Sequence, residues 1–261
     1  MIKKAIFSII LFVVVVNMLK GQNYDWKQQT INYVKVDSIT YYFPSNISIE
    51  DRVKIIDDCK KDIKANLMIL NEKEYNKAID VVFVNTRKEI LRYTGQQGRG
   101  VAYYYRNAVF SLTNQNDSPI KHEMMHMMSA ELWGIPANSS LWIYEGIATL
   151  SGGYCSNYTL DEVYQYYLQS GKVIGIDSLA HNFRNYNDVI TYTESAFLTK
   201  YLMDNYGYDK LKKLWAKGLE SFKEIYGFSV NGLEEKLVSE FKIKYPKKIA
   251  FDWEEFNKGC N

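Results

Sequence analysis

His122-Glu123-Met124-Met125-His126 and the later segment Trp142-Ile143-Tyr144-Glu145-Gly146 are the two stretches that constrain this chain most; eighteen residues separate His126 from Glu145. A helix turns by about 100° per residue, so side chains at positions i and i+4 lie about 40° apart on one face. The two imidazoles can therefore approach one ion together. The 261-residue chain has only 3 histidines, and two of them belong to this motif.

The ligand types indicate which metal such a site would bind. Neutral imidazole and carboxylate suit Zn²⁺, and a catalytic zinc site uses three protein ligands while a fourth position stays open to water. We expect His122, His126 and Glu145 to hold one Zn²⁺ per chain. Glu123 follows the first histidine, where its carboxylate can reach water rather than the metal, and we expect it to act as general base. A chance match is the alternative, and the second acidic segment argues against it.

The residues around the first motif predict a half-buried helix. Ser118 is a good N-cap, Pro119 suits the first helical position, and Gly134 can end the helix in a left-handed conformation. An apolar stripe marks its inner face, formed by Ile120, Met124, Met127 and Met128.

Glu145 falls in a second predicted helix. We expect Ser139 or Ser140 to cap a helix that runs through Leu150, and Gly152-Gly153 to stop it. The first turns of this helix would present Glu145 to the histidines.

Apolar periodicity and turn residues predict the remaining elements. The predicted strands are 33–43, 79–84, 101–105 and 109–113, and the predicted helices are 48–70, 86–93, 119–133, 140–151, 159–169, 191–206, 208–217 and 232–244. Strands that come first and helices that come later indicate an α+β fold. We expect a mixed α/β lobe with a small sheet over residues 22–117 and a mostly helical lobe with the zinc site over 118–261. The two lobes should form one domain with the active-site cleft between them.

The N-terminus predicts export. Lys3 and Lys4 precede an apolar run from Ala5 to Val16, which is short for a membrane span but typical of a signal-peptide core. We expect residues 1–21 to be a signal peptide cleaved near Gly21. The mature protein would then be secreted, periplasmic or in the cell envelope, without stable insertion in a membrane. An uncleaved anchor is the alternative.

Charge and cysteine content narrow the possible partners and bonds. Removal of residues 1–21 takes away Lys3, Lys4 and Lys20 and leaves 29 basic against 30 acidic residues, a net charge of −1. Such a balance gives no reason to expect a nucleic-acid partner. The three cysteines predict one disulfide and one free thiol among Cys59, Cys155 and Cys260.

Over roughly residues 79–244 the sequence resembles the gluzincin zinc peptidases, the group that contains thermolysin and aminopeptidase N, and most of all their small secreted peptidase MA-like relatives. The resemblance is carried by HEMMH at 122–126, WIYEGIA at 142–148 and, more weakly, YTESAF at 192–197. It implies a zincin-like fold and a secreted zinc peptidase with His122, His126 and Glu145 as ligands and Glu123 as base. The partner would be a peptide or protein substrate, and we expect a monomer.

Tyr192 lies where aminopeptidase N-like enzymes have a tyrosine that binds the oxyanion. We expect Thr191 and Glu194 to form a capping box that fixes Tyr192 in the first turn of its helix. With 22 tyrosines in the chain, an ordinary half-buried tyrosine is the alternative.

The stretch before the metal helix departs from the aminopeptidases. Those relatives have a glutamate there that holds the free amine of the substrate, whereas residues 98–103 read GRGVAY and contain no acid. Endopeptidase action is therefore the preferred prediction, and aminopeptidase action the alternative. We expect Gly100, Val101, Ala102 and Tyr103 to be an edge strand that pairs with an extended peptide, against the alternative of a sheet edge without a ligand.

Two further classes of function stay open. The first is a secreted binding or scaffold protein that keeps the fold but is catalytically silent, which the complete set of ligands with Glu123 argues against. The second is an envelope-anchored structural protein, supported only by the apolar leader. We expect the third histidine, His181, to lie in a solvent-exposed loop.

Overall fold

The computed structural model describes residues 25–29, 32–113, 119–154 and 156–259. It has the predicted α+β architecture, a five-stranded mixed sheet with a mostly helical remainder. The predicted signal peptide, the Ser118 cap and two of the cysteines, Cys155 and Cys260, lie outside the described residues. Cys59 is a free, buried thiol.

The chain divides into two compact units. The first comprises Met1–Ala65 and Glu74–Met127, and the second comprises Asn66–Lys73 and Met128–Asn261. The lobe boundary predicted at residue 117 stays a prediction.

The sheet lies in the first unit, with strand order β1-β2-β3-β5-β4. The strands are β1 Asn32–Val36, β2 Ile39–Phe43, β3 Ile79–Val84, β4 Gly100–Tyr103 and β5 Ala108–Leu112. The central strand β3 pairs in parallel with both of its neighbours and is buried throughout. Its near-continuous apolar sequence suits a strand covered on both faces.

One predicted strand is in fact a hairpin. Residues 33–43 do not run straight, because Asp37 adopts a left-handed conformation with φ of 53° and the chain reverses into the antiparallel pair β1 and β2. Asp is one of the few residue types that tolerate this conformation in a tight turn. The alternation of apolar residues continues on both sides of the turn and hides it.

The strand expected to meet substrate lies at the edge of the sheet. Among the described strands, β4 pairs only with β5 and is antiparallel to it. It ends at Tyr103, two residues before the predicted limit, because Tyr104–Arg106 form one turn of 3₁₀-helix that leads to Asn107 in a left-handed conformation.

Of the three helices described before residue 95, two follow the predicted elements 48–70 and 86–93, and the short first helix was not predicted. The three are α1 Trp26–Gln29, α2 Ile49–Leu70 and α3 Arg87–Thr94. The Ser48 hydroxyl accepts from the amide of Asp51 at 3.0 Å. Thr86 and Glu89 form a complete capping box, and Gly95 ends α3 in a left-handed conformation.

Helix α4, Ile120–Trp133, carries the histidine motif. Helix α4 ends where the sequence predicts. Gly134 has φ of 87°, and the Gly134 amide donates to the carbonyl of Ala130. The predicted inner stripe of Ile120, Met124, Met127 and Met128 is buried.

The second unit is helical. Its elements are α5 Leu141–Gly152, α6 Leu160–Ser170, α7 Ile176–Asn182, α8 Asp188–Tyr206, α9 Tyr208–Lys217, α10 Phe222–Tyr226, α11 Val230–Lys244 and α12 Trp253–Phe256. Most of these lie within a few residues of the predicted bounds. Among the described residues, no helix is both long enough and apolar enough to span a membrane.

Ser140 occupies the N-cap position of α5 and Gly153 the C-cap, as predicted, but the Ser140 side chain makes no capping bond. The hydroxyls of Ser139 and Ser140 bond to other segments instead. The Ser140 hydroxyl donates to the carbonyl of Leu214 at 2.9 Å, and the Ser139 hydroxyl accepts from the amide of Leu219 at 2.9 Å. The two serines therefore fix the start of α5 through tertiary contacts rather than local ones.

The predicted capping box at Thr191 is also wrong. Helix α8 begins three residues earlier, and Asn187 caps it by accepting from the amide of Ile190 at 3.2 Å. The Thr191 hydroxyl donates to the carbonyl of Asp188. Glu194 instead accepts from the amides of Ile174 and Gly175, at 3.0 and 3.3 Å.

Helices α5 and α8 pack at very short range where Gly146 lies. A Cβ atom built at this position would be 2.4 Å from the carbonyl oxygen of Ser195 and 2.5 Å from the hydroxyl of Thr199. The Ser195 oxygen is a backbone atom, so it cannot move away by a side-chain rotation. Only glycine fits here, and the residue before it, Glu145, is fixed by the same contact.

We predict that Gly146→Ala destabilises the protein, because the added methyl must push α5 and α8 apart. Overpacking of this kind costs roughly 1–3 kcal/mol, which corresponds to a fall of several degrees in the melting temperature. The matched control is Gly232→Ala on α11, where a Cβ would meet nothing closer than 3.4 Å. An unchanged melting temperature for Gly146→Ala in thermal unfolding would contradict the close packing.

We also predict a pH-dependent stability from Glu194, which is 1% exposed. Burial, partly opposed by the two backbone amides, raises the pKa of this carboxyl from 4.5 to about 7. The folded chain therefore binds the proton more tightly than the unfolded chain, and the free energy of unfolding falls as pH rises from about 4.5 through about 7. The loss is up to about 3 kcal/mol.

Urea unfolding of wild type and Glu194→Gln at pH 5 and pH 8 measures this effect. The variant has no carboxyl to titrate, so its stability should change less between the two pH values. Equal changes in the two proteins would show that Glu194 is not the source.

Candidate metal centre

The two histidines of α4 turn their rings toward each other. Their Nε2 atoms are 3.0 Å apart, and the ring planes are close to perpendicular at 86°. His126 is 5% exposed, while His122 is half-buried. The apolar stripe of α4 fixes the rotation of the helix and so directs both rings to one point.

The spacing of the two nitrogens matches the requirement of a single metal ion. Zinc–nitrogen bonds of 2.0–2.1 Å in tetrahedral geometry place two ligand nitrogens about 3.3 Å apart. The separation of 3.0 Å between His122 Nε2 and His126 Nε2 is close to that value. Two unprotonated Nε2 atoms at this distance repel each other unless a cation or a proton lies between them.

Glu145 supplies the carboxylate. It lies in the second turn of α5 and is 5% exposed, and the following residue, Gly146, packs against α8. A buried carboxylate is costly unless positive charge meets it. The guanidinium of Arg184 partly meets this requirement, since its Nη2 lies 3.3 Å from Glu145 Oε1.

The three predicted ligands can hold one ion. One ligand atom each from His122, His126 and Glu145 lie within 4.8 Å of one another. Two imidazole nitrogens and one carboxylate oxygen are the donor set of a catalytic zinc site with a position left for water. The residues present therefore fit a divalent metal of the zinc type.

The predicted base, Glu123, contacts the edge of the sheet. Its Oε2 accepts a hydrogen bond from the amide of Ala102 at 2.8 Å. The carboxylate is half-buried and lies one residue from His122, on the same helix. It is thus fixed at one oxygen by backbone.

The predicted substrate strand is β4, Gly100–Tyr103. Val101 is buried, and the other three residues are half-buried. The strand is at the edge of the sheet, so its position agrees with a role in backbone pairing.

Tyr192 lies in the second turn of α8. Burial and then the charge of Glu145 raise the pKa of its phenol to about 12, against the opposing effect of Arg184. The hydroxyl therefore remains protonated at neutral pH and is able to donate. It lies 3.3 Å from Nη1 of Arg184.

Arg184 is the residue that sequence reasoning missed. It lies in a 3₁₀ turn, Phe183–Asn185, and its guanidinium contacts both Glu145 and Tyr192. It follows α7 by two residues, in a stretch with no motif, and only the fold brings it to these side chains. No sequence signal would have selected it among the basic residues of the chain.

His181 is solvent-exposed as predicted, but it does not lie in a loop. It belongs to helix α7 rather than a loop, and its side chain is 47% exposed. A hydrogen bond to the backbone of Asp177, followed by the charges of Asp177 and Glu220, raises the pKa of this imidazole. It does not belong to the group of possible metal ligands found in the described residues.

Comparison with known families gives one match. A family model of the peptidase MA superfamily matches residues 76–242, which include both metal motifs and Tyr192. No curated protein matches the sequence. The match covers more than half of the chain and agrees with the gluzincin-like site described above. The chain belongs to the peptidase MA superfamily.

Proposed function

We propose that the chain is an exported, zinc-dependent peptidase that hydrolyses peptide bonds with an activated water and prefers internal bonds. Membership of the peptidase MA superfamily supports a protease-like hydrolase. The observation that carries the finer proposal is the approach of His122, His126 and Glu145 to within 4.8 Å, with Glu123 beside them on the same helix as the histidines.

His122, His126 and Glu145 would hold the ion. When bound, zinc supplies Lewis-acid chemistry that polarises the scissile carbonyl and makes water acidic enough to attack near neutral pH. The buried position of Glu145 and His126 keeps two of the ligands away from competing solvent.

Glu123 is the group that moves the proton. Its carboxylate takes a proton from the attacking water and passes it to the leaving amine. The bond from the Ala102 amide holds Oε2, so Oε1 is the oxygen left to exchange the proton.

Tyr192 would stabilise the negative charge that develops on the carbonyl oxygen. Its phenol stays protonated because its pKa is raised to about 12 by burial, and a neutral hydroxyl is the form that donates. Arg184 contacts the same hydroxyl and so restrains its orientation.

We also propose a substrate class and a location for the protein. An extended peptide or protein segment would pair with the open edge of β4. The lack of an acidic residue in 98–103 supports endopeptidase action, since a positively charged substrate terminus finds no partner there. The apolar leader supports export to the periplasm, envelope or medium, and the nearly balanced charge supports a protein without a nucleic-acid partner.

We predict that Glu123→Gln abolishes cleavage of a mixed peptide library while bound zinc stays near one per chain. Loss of a general base typically costs about 10²–10⁴-fold in rate, and Gln keeps the size of the side chain. Glu131→Gln on the same helix is the matched control and should cleave like wild type. Equal cleavage by wild type and Glu123→Gln would remove the residue from its assigned role.

The same library tests the preference for internal bonds. Peptides with acetylated N-termini should be cut as fast as free ones. Cleavage confined to free amino ends would favour the aminopeptidase alternative, and a zinc-loaded wild type that cuts nothing would favour the silent binding protein.

We predict that Tyr192→Phe lowers kcat about 10²-fold with little change in KM, because the hydroxyl donates mainly in the transition state. Steady-state kinetics on one peptide found in the library measures both constants. Tyr186→Phe is the control, since Tyr186 is nearby in sequence and 41% exposed. A kcat within a factor of about two of wild type would show that Tyr192 does not bind the oxyanion.

A further inference from the structure

We infer that the edge strand β4 positions the general base: the amide of Ala102 fixes the Glu123 carboxylate, and Gly100 leaves the space that this carboxylate occupies. The catalytic meaning of this contact rests on the proposed function. The contact itself lies wholly within the first unit of the fold.

The pairing of the sheet shows why the Ala102 amide is available. The amide of Leu112 on β5 donates to the carbonyl of Arg99 at 3.1 Å, so residue 99 faces β5. Backbone groups alternate in direction along an antiparallel strand. Val101 and Tyr103 therefore also face β5, while Gly100 and Ala102 face the open edge.

Glu123 occupies this open edge. Its Oε2 lies 2.8 Å from the Ala102 amide nitrogen, a normal length for a bond between an amide and a carboxylate. A bond of this kind is stronger than one between neutral groups. The donor is the backbone amide of Ala102. Among substitutions of residue 102, only proline would remove it.

Gly100 provides the space for the same carboxylate. A Cβ at this position would be 2.7 Å from Glu123 Cγ, 3.0 Å from Glu123 Oε1 and 3.0 Å from Pro119 Cγ. Any side chain there would displace Glu123 or the start of α4. Gly100, which has no side chain, and the backbone amide of Ala102 therefore both position the Glu123 carboxylate from the open edge of β4.

This arrangement also sets how a peptide can pair with β4. The outward amide of Ala102 is taken by Glu123, so an extended substrate must use the other outward backbone groups, at Gly100 and at the Ala102 carbonyl. The register of the substrate is then fixed relative to the base, which places one peptide bond beside it. Gly100 and Ala102 are positioning residues for Glu123 in addition to their predicted contact with substrate.

Amide hydrogen exchange of the full chain, followed by NMR without substrate, tests the contact directly. In Glu123→Ala the Ala102 amide should exchange at least about tenfold faster than in wild type, because it loses its acceptor. The amides of Val101 and Tyr103 face β5 and should not change. Glu131→Ala on the same helix is the matched control and should leave Ala102 unchanged.

Two outcomes would overturn the inference: an unchanged Ala102 rate in Glu123→Ala, or equal acceleration along all of β4. If Glu123→Ala does not fold, Glu123→Gln replaces it. Its neutral amide accepts a weaker bond, so a smaller acceleration confined to Ala102 is expected, and no acceleration overturns the inference. The measurement needs no peptidase activity, so a failure of the proposed function would be seen separately.

Kinetics of Gly100→Ala test the consequence for catalysis. We expect kcat to fall at least about tenfold while bound zinc per chain stays as in wild type, because the three atoms nearest to the added methyl belong to Glu123 and Pro119 and none belongs to a ligand. Gly232→Ala is the control for the change of glycine to alanine and should keep full activity. Full activity in Gly100→Ala would show that the space at Gly100 does not position Glu123.

Discussion

A carboxylate withdrawn from water beside two imidazoles is the constraint on which the site depends. Burying Glu145 costs free energy unless positive charge meets it, and the Arg184 guanidinium that contacts it lies on a largely exposed side chain. The imidazole nitrogens of His122 and His126 are too close to each other to share the space without a proton or a cation. A divalent ion satisfies both demands at once, and the short packing at Gly146 holds the carboxylate in place for it.

Local chemistry in the sequence predicted much of the fold. Strand β3 has the bounds that its apolar run predicts, and α3 begins with the capping box that Thr86 and Glu89 form. Gly134 ends α4 as expected. In each case neighbouring residues determine the conformation, so a single sequence contains the necessary information. Helix spacing predicted in the same way that His122 and His126 share one face, whereas Glu145 was selected by its sequence motif and not by local geometry.

Contacts between distant segments could not be predicted. Ser139 and Ser140 have side chains of the type that caps helices. Ser140 bonds instead to Leu214, 74 residues later in the sequence, and Ser139 to Leu219, 80 residues later. Arg184 meets Glu145 and Tyr192 only through the folded chain. The bond from Ala102 to Glu123 likewise spans 21 residues. Such contacts depend on how elements pack, and a periodicity or a cap does not specify that.

The contact between Glu123 and Ala102 has a consequence for solubility. An exposed sheet edge is a template on which another chain can add a strand, which leads to aggregation. The Glu123 carboxylate places a negative charge on the open side of β4 and occupies one of its amides. The acid proposed as the general base therefore also opposes the addition of a strand from another chain at this edge, and a variant without it would expose an edge more prone to aggregation.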